Sequence, residues 1–256
     1  MAAIDKANPD VLSNIFGDAV WTNKNRLTDE NLLALIDHFS AHTLSVAQVA
    51  EDQLGNAYEY LIKKFADDSG HTAAEFYTNR TVVRLMTLLM DPKPGESIYD
   101  PTCGSGGLLL NAALQLKKAW QEYRTLKIYG QEINLITSSI ARMNLFLHGI
   151  LDFRIAWGNT LSQPSLLEHD HLRQFDVVMA NPPYSIKQWD QKAFQHDAWG
   201  RNLWVRRRRA VPTTHFSSTF TRARSLKRAA RWCCTRTGCC FGIVRPTSGV
   251  TCWPPT

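Results

Sequence analysis

From residue 205 to the C-terminus there is not one aspartate or glutamate, and up to residue 204 there is a single cysteine, Cys103. These two absences divide the 256-residue chain. The first 204 residues carry 18 Lys and Arg against 23 Asp and Glu, a net charge of −5, while residues 205–256 hold 11 Lys and Arg and five of the six cysteines. The overall charge of +6 is therefore confined to one terminal stretch and does not argue for a basic nucleic-acid-binding face on the body of the protein. No apolar run approaches the roughly eighteen residues of a membrane span, and the N-terminus lacks the basic and apolar regions of a secretory signal. A cytoplasmic protein without membrane contact is expected. The adjacent pairs Cys233-Cys234 and Cys239-Cys240 lack the C-x-x-C spacing of a zinc knuckle, so no metal is expected.

Residues 1–44 are polar, with one short helical candidate at Leu32–Phe39. Ser45 and Gln48 form a capping-box pair, and Leu54, Tyr58, Leu61, Ile62 and Phe65 recur at helical spacing up to Gly70. They predict an amphipathic helix that buries those five side chains. A second helix is expected over about 81–90, with Val82, Leu85, Met86 and Leu89 on one side and the DPKPG turn at 91–95 as its stop. Strands and helices then alternate: SIYD (97–100), the turn CGSGG (103–107), an apolar helix over 108–120, KIYGQEI (127–133), a helix over 135–148, FRIAWGN (153–159) and FDVVMA (175–180). This order predicts an α/β fold, a doubly wound parallel sheet preceded by helices. Ligands in such sheets sit beyond the carboxyl ends of the strands, where CGSGG, Glu132, Asn159 and Asn181 fall.

Gly104, Gly106 and Gly107 place bare backbone and free helix N–H groups in the first strand-to-helix turn, where a ligand can approach closely. Glu132, ending the second strand, is placed to accept hydrogen bonds from ribose hydroxyls, so the two together suggest an adenosine-containing cofactor. Asn181-Pro182-Pro183-Tyr184 follows the buried fourth strand and holds an amide, a carbonyl and an aromatic ring in one rigid loop. An exocyclic amine is a poor nucleophile because its lone pair is conjugated into the ring. Two acceptors, the Asn181 side-chain oxygen and the Pro182 carbonyl, would grip both N–H groups and favour a tetrahedral nitrogen, while Tyr184 would stack on the ring.

In these residues the sequence resembles the N6-adenine DNA methyltransferases, specifically the modification subunits of type I restriction-modification systems. The resemblance rests on EFYTNR (75–80), DPTCGSGG (100–107), GQEIN (130–134), NPPY (181–184) and WGRNLW (199–204), in that order, and covers most of residues 45–204. It implies the Rossmann-like sheet of S-adenosylmethionine-dependent methyltransferases. The cofactor would be held by Glu75, Phe76, Tyr77, Thr78, Asn79 and Arg80, by Asp100, Gly104, Ser105, Gly106 and Gly107, and by Glu132 at the ribose. Asn181, Pro182 and Tyr184 would hold a flipped adenine for methyl transfer to N6. DNA is the implied substrate, and the implied partners are a specificity subunit and a restriction subunit. Asn79 departs from the family, which usually has proline there, and is expected to loosen the cofactor loop. Two other functions remain in play. NPPY also resembles glutamine and RNA methyltransferases, and residues 205–256 could act as a basic nucleic-acid-binding module whose affinity falls with salt.

Beyond Trp204 the resemblance stops. Back-translation of RRRRAVPTTHFSST (206–219), read one base upstream, permits PPQGRADYAFFQH; the same shift applied to WCCTRTGCCFG (232–242) permits MVLYPHGVLFR. Both strings resemble the family continuation, so a frame change near Trp204-Val205 is inferred. The resulting division is a helical lead-in over 1–70, itself a remnant of a longer helical region, a partial methyltransferase core over 71–204, and an out-of-frame tail over 205–256 expected to be disordered. On this view the chain is a fragment with an incomplete, four-strand sheet, whose fourth strand is an apolar edge prone to aggregation. Sequencing the gene across codons 200–210 should show the frame change as an inserted or deleted base; an unshifted frame there overturns it.

Overall fold

Nearly continuous apolar runs form strands buried on both faces, and Phe175–Ala180, interrupted only by Asp176, is such a run at the middle of the sheet. A computed structural model describes residues 2–9, 11–12, 15–16, 23–25, 27–45, 47–49, 51–68, 77–183, 194, 196–201 and, as backbone, 224–235, 238–245 and 249–253. Helices α1 (Ala2–Ala7), α2 (Asp29–Ser40), α3 (Glu51–Asp68) and α4 (Arg80–Met90) precede the sheet. Then follow β1 (Ser97–Asp100), α5 (Gly107–Lys118), β2 (Lys127–Glu132), α6 (Leu135–Leu147), β3 (Phe153–Trp157), a small hairpin β4 (Leu167–Glu168) and β5 (His171–Leu172), and β6 (Phe175–Ala180). Three further strands are β7 (Arg224–Thr235), β8 (Gly238–Arg245) and β9 (Gly249–Trp253). None of the helices among the described residues is long and apolar enough to cross a membrane.

The main sheet has the order β3-β2-β1-β6-β7-β8-β9, parallel from β3 to β7 and antiparallel at its last two strands. Chain direction across the sheet reverses between β1 and β6, the switch point at which such sheets open a crevice. Alternation along the strands divides the core. Ile98, Val177 and Met179 face α4, α5 and α6 with Leu109, Leu110, Ala113 and Leu145, whereas Tyr99, Val178 and Ala180 face Leu161, Leu166 and Phe194. On the second face Tyr99 stacks on Phe175 at 4.5 Å between ring centroids.

All four expected strands and the helices after the first two of them are present, within two residues of their expected ends. The lead-in helices differ. Ser45 does not cap α3: its carbonyl accepts from Gln48 N and Val49 N in an isolated turn, and the helix starts at Glu51. Leu61 and Phe65 are exposed, and the buried face of α3 is Gly55, Glu59, Ile62 and Ala66. On α4 the buried residues are Val83, Met86, Thr87 and Met90, while Leu85 and Leu89 are exposed. Tertiary partners choose the face, and both helices carry apolar residues on more than one side.

The tail also departs from expectation. Disorder and a bare β6 edge were expected, but β7 pairs with β6 in parallel from Phe175↔Arg224 to Ala180↔Arg231, and β8 and β9 extend the sheet. A ladder is made by backbone groups, so an extended segment without proline, here RSLKRAARWCCT over 224–235, can occupy the position whatever its frame. With β7 in place, β6 is interior and is no longer an aggregation edge.

Arg201 ties the loop after β6 to this framework. Its side chain is fully buried, with Nη2 2.6 Å from Asp197 Oδ1. Nη1 and Nη2 donate to the carbonyls of Thr160 (2.6 Å) and Leu161 (2.7 Å). Thr160 Oγ1 in turn donates to Pro101 O at 2.6 Å. Arg201→Met should cost about 3–5 kcal/mol in urea unfolding, because Asp197 would keep only the backbone N–H of residue 201 at Oδ2 while its charge and two buried carbonyls lost their guanidinium partner; a loss below about 1 kcal/mol contradicts this clamp.

Candidate active site

Residues at the carboxyl ends of β1 and β6, the glycine turn and the start of α4 enclose one cleft of about 510 Å³, open mouth included. Tyr77, Thr78, Arg80, Asp100, Gly104, Ser105, Gly107 and Asn181 line it. The glycine turn is shaped by Gly106, whose φ of 78° is left-handed and strained for a residue with a Cβ, and which packs against Ala141 of α6. Gly106 caps α5 without a side-chain bond, so the α5 N-terminus, with its free N–H groups, faces the cleft at Gly107 and Leu108.

Charge in the cleft is shaped by burial. Asp100 is 1% exposed, and burial raises its pKa from 3.8 to about 8, with Thr102 N–H opposing and Glu132 adding to the rise. Glu132 is also raised, chiefly by burial, although Gly104 N and Asn134 N donate to its two oxygens at 3.0 and 2.9 Å. The Cys103 thiol is pushed well up, again mainly by burial. For Arg80, burial disfavours the guanidinium, yet the Glu59 carboxylate at 2.6 Å and Tyr77 outweigh it and hold the pKa above its ordinary value.

Thus most of the expected cofactor residues converge. Asn181 joins them through Nδ2, which donates to Thr78 Oγ1 at 3.3 Å, so that its Oδ1 is turned away from Thr78. Pro182 follows and is buried. Three expected residues play supporting parts: Glu132 braces Gly104, Gly106 shapes the turn, and Asn79 is the N-cap of α4, accepting from Thr81 N at 2.9 Å. Asn79 therefore fastens the start of this helix, correcting the expectation of a loosened loop. Glu75, Phe76 and Tyr184 lie outside the described residues. The cleft also contains Ile62, which the sequence marked only as a helix-face residue, and residues that it did not single out, among them Glu59, Asn111 and Asn144. Gly55 was the available signal: a glycine inside a helix costs about 1 kcal/mol and calls for a packing reason, which here leads to α3.

Residues 49–216 match the N-6 DNA methylase family. The chain belongs to that family. The match runs twelve residues past Trp204, where the resemblance read from motifs stops. The methylase subunit of the type I restriction enzyme HindI from Haemophilus influenzae is 31% identical over 202 residues, 76% of this chain and 44% of its own length. The EcoEI methylase subunit from Escherichia coli is 36% identical over 192 residues, 72% of this chain and 37% of its own. Among solved structures, a type I restriction-modification methyltransferase subunit from Streptococcus thermophilus superposes with a TM-score of 0.75 at 31% identity, over 90% of this chain and 50% of that one. This family member thus spans about half or less of the length of these relatives. Its fold is that of the S-adenosylmethionine-dependent methyltransferases; one such protein from Listeria monocytogenes superposes with a TM-score of 0.60 at 15% identity.

The raised Asp100 pKa has a signed consequence. Between pH 3.8 and 8 the folded chain holds a proton that the unfolded chain has lost, so Asp100 lowers stability as pH rises through this window. Asp100→Asn keeps an acceptor for Thr102 N, which lies 2.9 Å from Oδ1, and removes the titration. Thermal melts should show the variant gaining on the parent from pH 5 to 8, by an amount on the order of a few kcal/mol; a constant difference across that range overturns the assignment.

Proposed function

We propose that this chain carries the cofactor and adenine sites of a cytoplasmic DNA N6-adenine methyltransferase, the modification subunit of a type I restriction-modification system. The observation that carries the reading is the convergence of Asn181 and Thr78 on the cleft formed by Asp100, Gly104 and Ser105. The lining suits S-adenosylmethionine: an acid at Asp100, a base at Arg80, helix N–H groups at Gly107, and a buried acceptor, Asn144 Oδ1, with no donor among the described residues. The cofactor supplies an electrophilic methyl group on a sulfonium. Asn181 Oδ1 and the Pro182 carbonyl would accept the two N–H groups of the target amine and direct its lone pair at that methyl; as the N–C bond forms the S–C bond would break to leave S-adenosylhomocysteine, and the positive charge on nitrogen, stabilised by the two acceptors, would be lost as one N–H proton passes to solvent. Tyr184 stacks on the flipped base. Tyr77, Thr78 and Arg80 would hold the cofactor from one side and the glycine turn from the other, and Glu132 would serve the ribose.

Sequence choice and cleavage belong, in this proposal, to separate specificity and restriction subunits. The tail over 205–256 is the product of a changed frame, and its backbone strands are compatible with that origin because ladder pairing does not depend on side-chain identity. In a chain with the frame restored and the specificity subunit added, Asn181→Ala should lower transfer of labelled methyl groups to unmethylated DNA by at least about a hundredfold while cofactor affinity is kept. Methylation at the parent rate overturns the role of Asn181. Preference for RNA or protein as acceptor favours the glutamine or RNA methyltransferase reading instead.

A further inference from the structure

α3 lies outside the sheet and ahead of every motif assigned to the cofactor, yet it is built into the cleft. Gly55, Glu59 and Ile62 are spaced i, i+4 and i+7 and so share one face. Gly55 abuts the buried ring of His148; a Cβ at that position would lie 2.5 Å from Nε2 and 2.6 Å from Cδ2 and Cε1. His148 Nδ1 is 2.8 Å from Asn144 O, and Asn144 Nδ2 donates to Ser105 O at 3.0 Å. α3 is thereby set against α6, and α6 against the glycine turn.

One turn beyond Gly55, Glu59 is 7% exposed, and its Oε2 lies 2.6 Å from Arg80 Nη2. A carboxylate this deeply buried is costly unless paired. Arg80 gives Nε to Tyr77 OH at 3.2 Å and Nη2 to Glu59, and among the described residues the Nη1 edge of this rigid fork has no acceptor. Nearby on the same cleft, the orphaned Asn144 Oδ1 and the Asp100 carboxyl are acceptors. A fixed cation and buried hydrogen-bond acceptors in one cleft suit the α-carboxylate and the N–H donors of an α-amino acid.

We propose that α3 is a wall of the cofactor site, and that Glu59 is a positioning residue that aims the Arg80 guanidinium at the α-carboxylate of the cofactor's amino-acid end. This inference rests on the methyltransferase reading and adds the element and residue that select the zwitterionic end. Glu59 touches Arg80 and acts through it, so its effect should depend on whether the ligand has a carboxylate.

The test compares S-adenosylhomocysteine with 5′-methylthioadenosine, two thioethers of the same nucleoside of which only the first carries the amino acid. Calorimetric titration of the parent chain, Glu59→Gln, Arg80→Gln and the double variant reads the difference. Glu59→Gln and Arg80→Gln should each weaken S-adenosylhomocysteine about tenfold, the size expected for one charge-assisted hydrogen bond. Both should leave 5′-methylthioadenosine within about twofold, and the double variant should be no weaker than Arg80→Gln alone. Equal weakening of both ligands, or no weakening of S-adenosylhomocysteine, overturns the positioning role. A parent chain that binds 5′-methylthioadenosine and not S-adenosylhomocysteine overturns this inference alone, whereas one that binds neither overturns the methyltransferase reading as well. Arg80→Gln leaves the buried Glu59 carboxylate unpaired, so the double variant, which leaves no unpaired charge, reports if either single variant perturbs folding: it should show the same selective loss of S-adenosylhomocysteine.

Discussion

The parallel pairing of β1 with β6, Ile98 with Val177 and Tyr99 with Val178, is the constraint on which the rest of the molecule depends. It brings together two strands separated by more than seventy residues and places the chain reversal of the sheet between them. Asp100 and the glycine turn leave one strand, and Asn181-Pro182 leaves the other, at adjacent carboxyl ends. The opposite ends are pinned by side chains. Asp176 Oδ2 accepts from Ser97 N and Ser97 Oγ at 3.0 and 2.8 Å, and Ser97 Oγ accepts from Asp176 N at 3.0 Å. A one-residue slip would exchange the two faces of β6 and separate these partners, so the register that forms the core also forms the cleft.

Around this pair the supporting elements are joined by buried polar groups. Arg201 carries the segment after β6 to Thr160, and Thr160 reaches Pro101 beside the glycine turn. Asn144 holds Ser105 from the other side. Each bond satisfies a carbonyl in irregular backbone that no ladder can serve, which is where buried polar side chains are needed. Irregular loops around the cleft are thus fixed in place by residues distant in sequence.

The strands were legible because each is a short apolar run bounded by turn residues, and the motif residues because their spacing reflects one strand-turn-helix unit. Helix faces were less so. Leu61 and Phe65 on α3 fit an apolar stripe as well as Ile62 does, and only the contact of Gly55 with His148 decides which stripe is buried. Glu59 reads as an ordinary surface charge, and Asn144 as an ordinary helical polar residue, until their distant partners Arg80 and Ser105 are known. The tail strands were missed for a different reason: disorder was inferred from side-chain composition, whereas pairing with β6 draws on backbone groups that any sequence without proline supplies.

Glu132, behind the glycine turn, and Arg80, on the wall of the cleft, are both held before any ligand arrives, by different means. Glu132 is held through both oxygens by Gly104 N and Asn134 N, on rigid backbone at a strand end, so nothing there has to be ordered when a ligand arrives. Arg80, on the first turn of a helix, is tied at Nε by Tyr77 and at Nη2 by Glu59, so its long stem is already restrained. On the methyltransferase reading, the nucleoside and the amino-acid end would each meet groups held in place beforehand, one set by backbone and the other by side chains. Little ordering would then remain to oppose binding at either end.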